Sequence, residues 1–437
     1  MAEQWYFNQE METLSRADLD VLQVQRLRQS VTQALQAPVY RDGAEAGKLD
    51  PDAIKSIDDI KRLPFTTKDD LRSHGPYGYL TVPVSEIIRL HSSSGTTGNA
   101  VAILHTRDDM ANWSELVARC MRSVGLSKED VFQNIAGYGL FTGGLGFHYG
   151  SERLGMMTIP AGPGNSNRHI QLMQSYGTTA AHLMPSYALS LMRNFEQLGV
   201  DPQADTKLHT FFLGAEPHSE ETRQKIEKFY GVKAYNSYGM TEMNGPGLSF
   251  ECPTREGIHI WEDQFIVEVI NPDGDEPVAE GEIGELVYTT LARVGMPIFR
   301  YRSRDLAAFI MEPCSCGRSH RRITRIMSRV DDMIIYKGVN IFPIQVEKVL
   351  SGYSDLGDNF LIVLDNDQKG ERITVEIDVP NQQLTTECDE SNQLKKSLIE
   401  ALRSEILVTV GIQFRHVVGD DALPQMKPKR VDDRRAR

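Results

Sequence analysis

The sequence predicts an α/β fold with a large N-terminal domain of layered sheets and helices and a small C-terminal α+β domain. Three observations indicate this. Between about residues 108 and 236, short apolar segments alternate with segments of helical periodicity, as in parallel sheets covered by helices. From about residue 257 the pattern changes to closely spaced strands, which are typical of antiparallel sheets. After Arg329-Val-Asp-Asp332 a new set of short elements begins, so we expect domains at residues 1–330 and 331–437.

The elements of the first domain are predicted from apolar spacing. A helix is expected to end near Leu35, and two strands at Ile87–Leu90 and Val101–Leu104 flank a loop rich in Ser, Gly and Thr. Helices are then predicted at Asp108–Val124, Asn167–Tyr176, Ser186–Leu198 and Ser219–Tyr230, and strands at Val131–Ile135, Met156–Ile159, Ala180–Met184, Thr210–Leu213 and Val232–Asn236.

Two further strands, Phe265–Ile270 and Gly284–Thr290, are predicted on either side of an Asn-Pro-Asp-Gly turn at residues 271–274. The small domain is expected to contain strands at Met333–Tyr336, Asn359–Leu364, Ile373–Val379 and Gln413–Val418, and helices at Pro343–Leu350 and Asn392–Leu407.

Composition excludes several classes of function. The formal net charge of −13 argues against broad attraction to nucleic acids or to anionic membranes. No apolar run is long enough to cross a bilayer, and the N-terminus does not resemble a secretory signal. Five cysteines are too few for a disulfide framework in 437 residues, so a cytoplasmic protein is expected. The sequence does not set the oligomeric state, and a homodimer stays open.

One loop combines hydroxyl side chains with glycines, namely Ser92-Ser-Ser-Gly-Thr-Thr-Gly98. Glycines allow backbone N–H groups to turn toward an anion, and Ser and Thr add further donors. A flexible linker is the alternative, but the loop lies tightly between two predicted strands. It lacks the Gly-Lys-Ser/Thr of a Walker loop. The pattern therefore indicates an anion-binding loop.

A second motif, Tyr235-Asn-Ser-Tyr-Gly-Met-Thr-Glu242, lies at the end of a predicted strand. Ligands of open α/β sheets bind beyond the carboxyl ends of strands. A hydroxyl next to a carboxylate suits a phosphate oxygen and its Mg²⁺, because Mg²⁺ prefers carboxylate and phosphate oxygens. By itself the motif is also compatible with a simple turn.

Six motifs follow the order found in adenylate-forming enzymes. They are the Ser92–Gly98 loop, Gly214-Ala-Glu-Pro217, Tyr238-Gly-Met-Thr-Glu242, Tyr301-Arg-Ser-Arg-Asp305, Arg329-Val-Asp-Asp332 with Lys337-Gly338, and Lys427. Over nearly its whole length the chain resembles the phenylacetate–CoA ligase family of this superfamily, which also includes luciferases and the adenylation domains of peptide synthetases. The resemblance implies that ATP activates a small aromatic acid to an acyl-adenylate with release of pyrophosphate. Coenzyme A then takes the acyl group, giving an aryl-acyl-CoA and AMP.

The resemblance also implies roles for individual residues. Lys427 would bridge the substrate carboxylate and the α-phosphate, Thr241 would bind the α-phosphate and Glu242 would hold Mg²⁺. Lys429 is close enough to Lys427 to compete for this role. Asp331 would be the hinge about which a mobile C-terminal domain rotates. The implied nucleotide and coenzyme contacts are Ser93, Ser94, Gly95, Thr96, Thr97 and Gly98 for the phosphates, Ala215, Glu216, Pro217, Asn236, Tyr238, Gly239 and Met240 around the adenine, Asp305 and Arg329 at the ribose, and Lys337 and Gly338 near the CoA channel.

The phosphate loop departs from the family pattern after Gly98. It continues Asn99-Ala100 where the superfamily usually has Lys-Pro after this glycine. The loop therefore lacks a mobile positive charge for the departing pyrophosphate.

The acyl pocket is expected near a segment rich in glycine and aromatic residues, Tyr138-Gly-Leu-Phe-Thr-Gly-Gly144, which resembles the pocket-lining segment of arylacetate ligases. The expected lining residues are Tyr138, Phe141, Gly214, Ala215 and Pro246. Small residues at 214 and 215 would leave room for a planar ring. A simple glycine-rich turn is the alternative.

Cys252, His259, Cys314 and Cys316 offer three thiolates and one imidazole, which is a closed set for structural Zn²⁺. The alternative is a turn with two free thiols, and His320 is a competing nitrogen ligand. Two other functions also stay open. One is adenylation followed by transfer to a carrier protein or to a cofactor hydroxyl. The other is a zinc-containing binding module without catalysis.

Overall fold

The computed structural model describes residues 5–43, 45–93, 100–337, 339–353, 355–357, 359–367, 370–416 and 429–435. Its mixture of layered sheets and helices confirms the predicted α/β class, with a smaller α+β part at the C-terminal end. In the described part of the chain, no helix combines the length and apolar character that crossing a membrane requires.

The N-terminal part consists of helices and one antiparallel hairpin. The side chain of Ser15 caps the first long helix, which the sequence predicted to end within one residue of its observed end. Leu19, Leu27 and Val31 on this helix are fully buried. The elements are α1 (Gln9–Glu12), α2 (Arg16–Ala34), α3 (Pro38–Arg41), α4 (Lys68–Ser73), β1 (Ile87–Ser92), β2 (Ala102–Thr106) and α5 (Arg107–Ser123).

The α/β section follows as β3 (Val131–Asn134), α6 (Thr142–Leu154), β4 (Met157–Ile159), α7 (Ser166–Tyr176), β5 (Ala180–Leu183), α8 (Pro185–Leu198), α9 (Pro202–Asp205), β6 (Thr210–Gly214), α10 (Glu220–Tyr230) and β7 (Lys233–Met240). Strands β4, β3, β5, β6 and β7 lie side by side in that order, and all their pairings are parallel. The predicted strands are present. Strand β7, however, continues four residues beyond its predicted end at Asn236.

Helix α6 was not predicted, because glycines interrupt its apolar pattern. One of them is required by packing against α5. A Cβ on Gly146 would lie 2.6 Å from both the Trp113 ring and the Pro246 ring. Glycine has a low helix propensity, but at this position it allows α5 and α6 to approach each other closely.

The antiparallel section contains β8 (Gly245–Glu251), β9 (Ile258–Ile260), β10 (Phe265–Ile270), β11 (Gly284–Thr290), β12 (Tyr301–Ala307), β13 (Phe309–Ile310), β14 (Arg322–Ile323) and β15 (Ser328–Arg329). Strands β8, β9, β14 and β13 extend the central sheet beyond β7, which makes it nine-stranded. A separate four-stranded sheet has the order β10-β11-β12-β15. Strands β10 and β11 have the predicted bounds.

The C-terminal part contains β16 (Ile334–Tyr336), β17 (Val339–Ile341), α11 (Pro343–Leu350), β18 (Phe360–Asp367), β19 (Gly370–Val379), α12 (Asp389–Ile406), β20 (Gly411–His416) and β21 (Val431–Asp433). Its sheet has the order β20-β19-β18-β21. One cluster of buried apolar side chains is built from residues between 334 and 431 alone. We therefore propose that the domain boundary lies at Val330–Asp332, where a single 3₁₀ turn joins the two parts.

Candidate active site

The predicted phosphate loop connects the two strands of the first hairpin. Ser92 pairs with Ala102 across β1 and β2, and the Ser93 amide donates to the carbonyl of Val101 at 3.1 Å. The Ser93 hydroxyl is buried and has no hydrogen-bond partner among the described residues. Residues 94–99, which include Ser94, Gly95, Thr96, Thr97 and Gly98, lie outside the described part of the chain.

The end of β7 carries the second motif. A Cβ on Gly239 would lie 2.0 Å from the carbonyl oxygen of Gly245, so only glycine fits at this position. Thr241 and Glu242 follow in a 3₁₀ turn and are both buried. At the middle of the strand, the amide of Asn236 donates to the Glu251 carboxylate at 2.8 Å. The predicted phosphate and Mg²⁺ residues are thus fixed at the carboxyl end of a central strand.

Glu242 lies between two cations that the sequence analysis missed. The buried guanidinium of Arg293 donates to the backbone oxygen of Glu242 at 2.7 Å and also to the side chain of Asn244. Burial lowers the pKa of Arg293 to about 10, although the Asp109 and Glu242 carboxylates act in the opposite direction. The ammonium of Lys68 is 3.5 Å from Oε1 of Glu242. No local sequence pattern marks either cation.

The Glu242 carboxylate also fits a divalent cation. Its Oε1 is buried, and among the described residues no hydrogen bond reaches that atom. A buried carboxylate oxygen of this kind is a suitable Mg²⁺ ligand.

Asp305 connects the two sheets. It lies on β12, and the Tyr238 hydroxyl on β7 donates to its Oδ2 at 2.5 Å. Asp305 is also the register partner of Arg329 on β15. Arg329 in turn forms an ion pair with Asp331 at 3.0 Å, and the Arg304 guanidinium is 3.3 Å from the same carboxylate. The structure therefore brings the predicted adenine, ribose and hinge residues into one connected series.

The Gly214–Pro217 segment follows β6. The Ser186 amide donates to the Glu216 carboxylate at 2.6 Å, and burial raises the pKa of Glu216. Ala215 has a positive φ of 70° and is exposed. A Cβ on Gly214 would lie 2.6 Å from the Ser237 carbonyl oxygen. The missing side chain at 214 is thus explained by close packing of β6 on β7.

The predicted acyl-pocket segment leads into α6. Tyr138 is half-buried, and its hydroxyl is bonded to Asn134 at 3.0 Å and to His148 at 3.3 Å. Burial raises the pKa of Tyr138 to about 12. Phe141 is 54% exposed at the start of the helix. The Leu140 carbonyl accepts a hydrogen bond from the Ser92 amide at 2.9 Å. This segment therefore contacts the β1–β2 hairpin that carries the predicted phosphate loop.

Pro246 lies beside this segment. Its carbonyl accepts the indole N–H of Trp113 at 2.8 Å, and its Cα is close to Gly239. Pro246 therefore lies between helices α5 and α6 on one side and the end of β7 on the other.

The C-terminal candidates are described only in part. Lys427 and Gly338 lie outside the described residues. Lys337 is exposed, with a positive φ of 50° and its ammonium over the Tyr336 ring. Lys429, the competitor of Lys427, forms an ion pair with Asp432 at 2.9 Å. Asp432 thus engages the ammonium of Lys429.

The four predicted metal ligands come together on the antiparallel half of the central sheet. The ligand atoms of Cys252, His259, Cys314 and Cys316 all lie within 4.8 Å of one another. Nδ1 of His259 donates to the carbonyl of His320 at 3.0 Å, which directs Nε2 toward the thiols. This set has the donors and the spacing to hold one metal ion.

His320 is excluded as the competing ligand. Its Nδ1 accepts the Glu262 amide at 3.0 Å, and its Nε2 donates to the Met11 carbonyl at 2.9 Å. Both nitrogens therefore bind backbone groups. Helix α1 also contacts this region, because its Glu12 forms a buried ion pair with Arg318 at 2.7 Å.

Comparison with known structures shows the same two-domain architecture. A 2-hydroxyisobutyryl-CoA ligase in the postadenylation state, in complex with R3-HIB-AMP, aligns with a TM-score of 0.90 at 27% identity. The alignment covers 100% of this chain and 94% of the ligase. The same ligase in its thioesterification state, with 2-HIB-AMP and CoA, aligns with a TM-score of 0.72 at 28% identity and the same coverage.

Sequence comparison gives the family. The AMP-binding enzyme family matches residues 38–291, and the AMP-binding enzyme C-terminal domain matches residues 338–435. A phenylacetate-coenzyme A ligase from Thermus thermophilus is 38% identical over 94% of both chains. One from Escherichia coli is 36% identical over 96% of this chain and 95% of its own. The chain therefore belongs to the phenylacetate–coenzyme A ligase family of AMP-binding enzymes.

Proposed function

We propose that this enzyme uses ATP to activate a small aromatic acid of the phenylacetate type and then transfers the acyl group to coenzyme A. Family membership makes the chain an AMP-forming acid–CoA ligase. The observation that carries the assignment of the site is the convergence of the β7 terminus with Asp305. Tyr238 joins them through one hydrogen bond, and Thr241 and Glu242 follow three and four residues later.

In the first half-reaction, a carboxylate oxygen of the acid attacks the α-phosphorus of ATP, and the bond to pyrophosphate breaks. Both reactants are anions, so catalysis must position them and neutralise charge. Thr241 would donate to the α-phosphate, and Lys427 would bridge it to the attacking carboxylate. Glu242 would hold Mg²⁺, which supplies positive charge to the phosphate oxygens when bound.

The nucleotide would be oriented by residues that are themselves held by other parts of the protein. Asp305 has a second carboxylate oxygen beside the one that accepts from Tyr238, and the ribose hydroxyls would donate to this carboxylate. Arg329 is the register partner of Asp305 on the neighbouring strand and would face the ribose and phosphate. Glu216 and Pro217 would lie against the adenine. The Ser92–Gly98 loop would surround the β- and γ-phosphates.

In the second half-reaction, the sulfur of CoA attacks the acyl carbon, and AMP leaves with one oxygen of the original acid. The small domain would rotate about Asp331 between the two steps, exchanging Lys427 for the Lys337-Gly338 segment. The Asp331 side chain is half-exposed and lies in the single turn that joins the domains, which suits a hinge. The higher TM-score with the postadenylation structure supports assigning that arrangement to this chain.

The acid would lie between the Tyr138–Phe141 segment, Ala215 and Pro246. The Tyr138 hydroxyl is already engaged by Asn134 and His148, so the ring itself is left for contact with substrate. A pocket of this composition favours a planar apolar group.

The cysteine cluster would bind one structural Zn²⁺. Three thiols and the Nε2 of His259 complete a four-ligand set, and a closed set has no open position for catalysis. Zinc would then fix the turn between β13 and β14 to the segment from β8 to β9. It takes no part in the proposed chemistry.

The first prediction concerns the reaction. With phenylacetate and ATP, the release of AMP over many turnovers should require CoA. Short aliphatic acids should be poorer substrates. Pyrophosphate and AMP are measured separately against a panel of aryl, heteroaryl and aliphatic acids. Sustained AMP release that is independent of CoA would favour another acyl acceptor.

The second prediction separates the two C-terminal lysines. Lys427→Ala should slow adenylate formation by about a hundred- to a thousandfold, the usual cost of removing one charge-stabilising group. Thiolysis of supplied phenylacetyl-adenylate should be largely retained, because the lysine acts in the first transition state.

Lys429→Ala is the matched control, because Lys429 pairs with Asp432. It should leave both half-reactions nearly unchanged. If Lys429→Ala abolished pyrophosphate exchange and Lys427→Ala did not, the two assignments would have to be exchanged.

The third prediction concerns zinc. Freshly purified protein should contain about one Zn²⁺ per chain by elemental analysis. Cys252→Ser should lose the metal and lower the melting temperature, whereas Cys388→Ser should retain both, because Cys388 lies outside the cluster. Zinc-free wild-type protein with an unchanged melting temperature would contradict the proposal.

A further inference from the structure

Glu347 of the small domain contacts the start of a helix in the large domain. It lies on α11, and its Oε1 accepts the backbone amide of Ser219 at 3.1 Å and the hydroxyl of Thr222 at 2.7 Å. Ser219 is the N-cap residue of α10, and its own hydroxyl accepts the Thr222 amide at 3.1 Å. A carboxylate of one domain therefore completes the cap of a helix in the other.

This contact is physically favourable. The N-terminus of a helix carries a partial positive charge and unpaired amides, and a carboxylate satisfies both. Ser219 and Thr222 are about 95% buried, so solvent competes little for these hydrogen bonds. Hydrogen bonds to charged groups are roughly twice as strong as neutral ones.

The contact also lies next to residues that are proposed to bind the nucleotide. Ser219 lies three residues after Glu216 and two after Pro217. A cavity at the domain junction is lined by Glu216 and Pro217 from the large domain and by Glu347 and Arg430 from the small one. The position of α11 is thus connected to the segment that would face the adenine.

We propose that Glu347 is a positioning residue that holds the small domain in the arrangement used for adenylation. The inference rests on the proposed two-step function. Its hydrogen bonds join the two domains, so they exist only while α11 faces α10. Rotation of the small domain for thioester formation must break them. Removing the carboxylate should therefore disfavour the first arrangement and leave the second unaffected.

The test compares Glu347→Gln with Glu405→Gln. Both remove one negative charge from the small domain, but Glu405 pairs with Lys348 inside that domain. For Glu347→Gln, pyrophosphate exchange with phenylacetate should fall by about tenfold, because a neutral amide oxygen accepts the two hydrogen bonds more weakly than the carboxylate does. Thioester formation from supplied phenylacetyl-adenylate and CoA should change by less than about twofold. Glu405→Gln should leave both rates unchanged.

A double-mutant cycle with Thr222→Val tests the contact itself. Thr222→Val should also slow pyrophosphate exchange. In the double variant, the fold-decrease in exchange rate should be smaller than the product of the two single fold-decreases. Equal losses in both half-reactions, or equal behaviour of Glu347→Gln and Glu405→Gln, would overturn the proposal.

A physical readout separates this proposal from the proposed function. Fluorophores at Cys388 in the small domain and at an introduced Lys128→Cys in the large domain report the distance between the domains. Glu347→Gln should shift this distance distribution, and Glu405→Gln should not. An unchanged distribution would refute the positioning role whatever the substrate is. A wild-type enzyme without exchange on any acid would instead refute the proposed function.

Discussion

Close backbone packing at the carboxyl end of β7 is the constraint on which the candidate site depends. A Cβ on Gly239 would lie 2.0 Å from the carbonyl of Gly245, and one on Gly214 would lie 2.6 Å from the carbonyl of Ser237. Both distances are shorter than a Cβ atom can tolerate from a backbone oxygen, so glycine is required at both positions. The strand is held between β6 and β8, and the 3₁₀ turn that follows it presents Thr241 and Glu242 at a fixed place.

The same strand connects the site to the domain boundary. From β7, the Tyr238 hydroxyl reaches Asp305 in the second sheet, Asp305 pairs in register with Arg329, and Arg329 forms an ion pair with Asp331. The first and last of these steps are side-chain contacts, and the middle one is a backbone pairing of neighbouring strands. The residues proposed to bind ribose and the residue proposed as hinge therefore share one polar network. With these proposed roles, charge changes at the nucleotide would act on groups that contact the junction, which would link the chemistry to the proposed domain rotation.

Much of this organisation could be predicted from the sequence, and the failures have physical causes. Strands β10 and β11 were predicted to the residue, because both are rich in β-branched and apolar residues and they flank a clear turn signal. Helix α6 was missed because Gly146, which packing on Trp113 requires, weakens the helical pattern. The end of β7 was missed because it is polar and contains glycine. Arg293 and Lys68 meet Glu242 only after folding, and His320 was excluded only by its backbone partners.

In the proposed reaction, an oxygen of the acid passes to AMP by way of an acyl-adenylate. This transfer is tested most directly by incubating the enzyme with ATP, CoA and phenylacetate whose carboxylate carries ¹⁸O in both positions, followed by mass spectrometry of the nucleotide. The attack on the α-phosphorus transfers one of these oxygens, and thiolysis breaks the bond between it and the acyl carbon. The mechanism predicts AMP with one ¹⁸O atom for each thioester formed. Unlabelled AMP, or ¹⁸O in inorganic phosphate together with ADP, would contradict it.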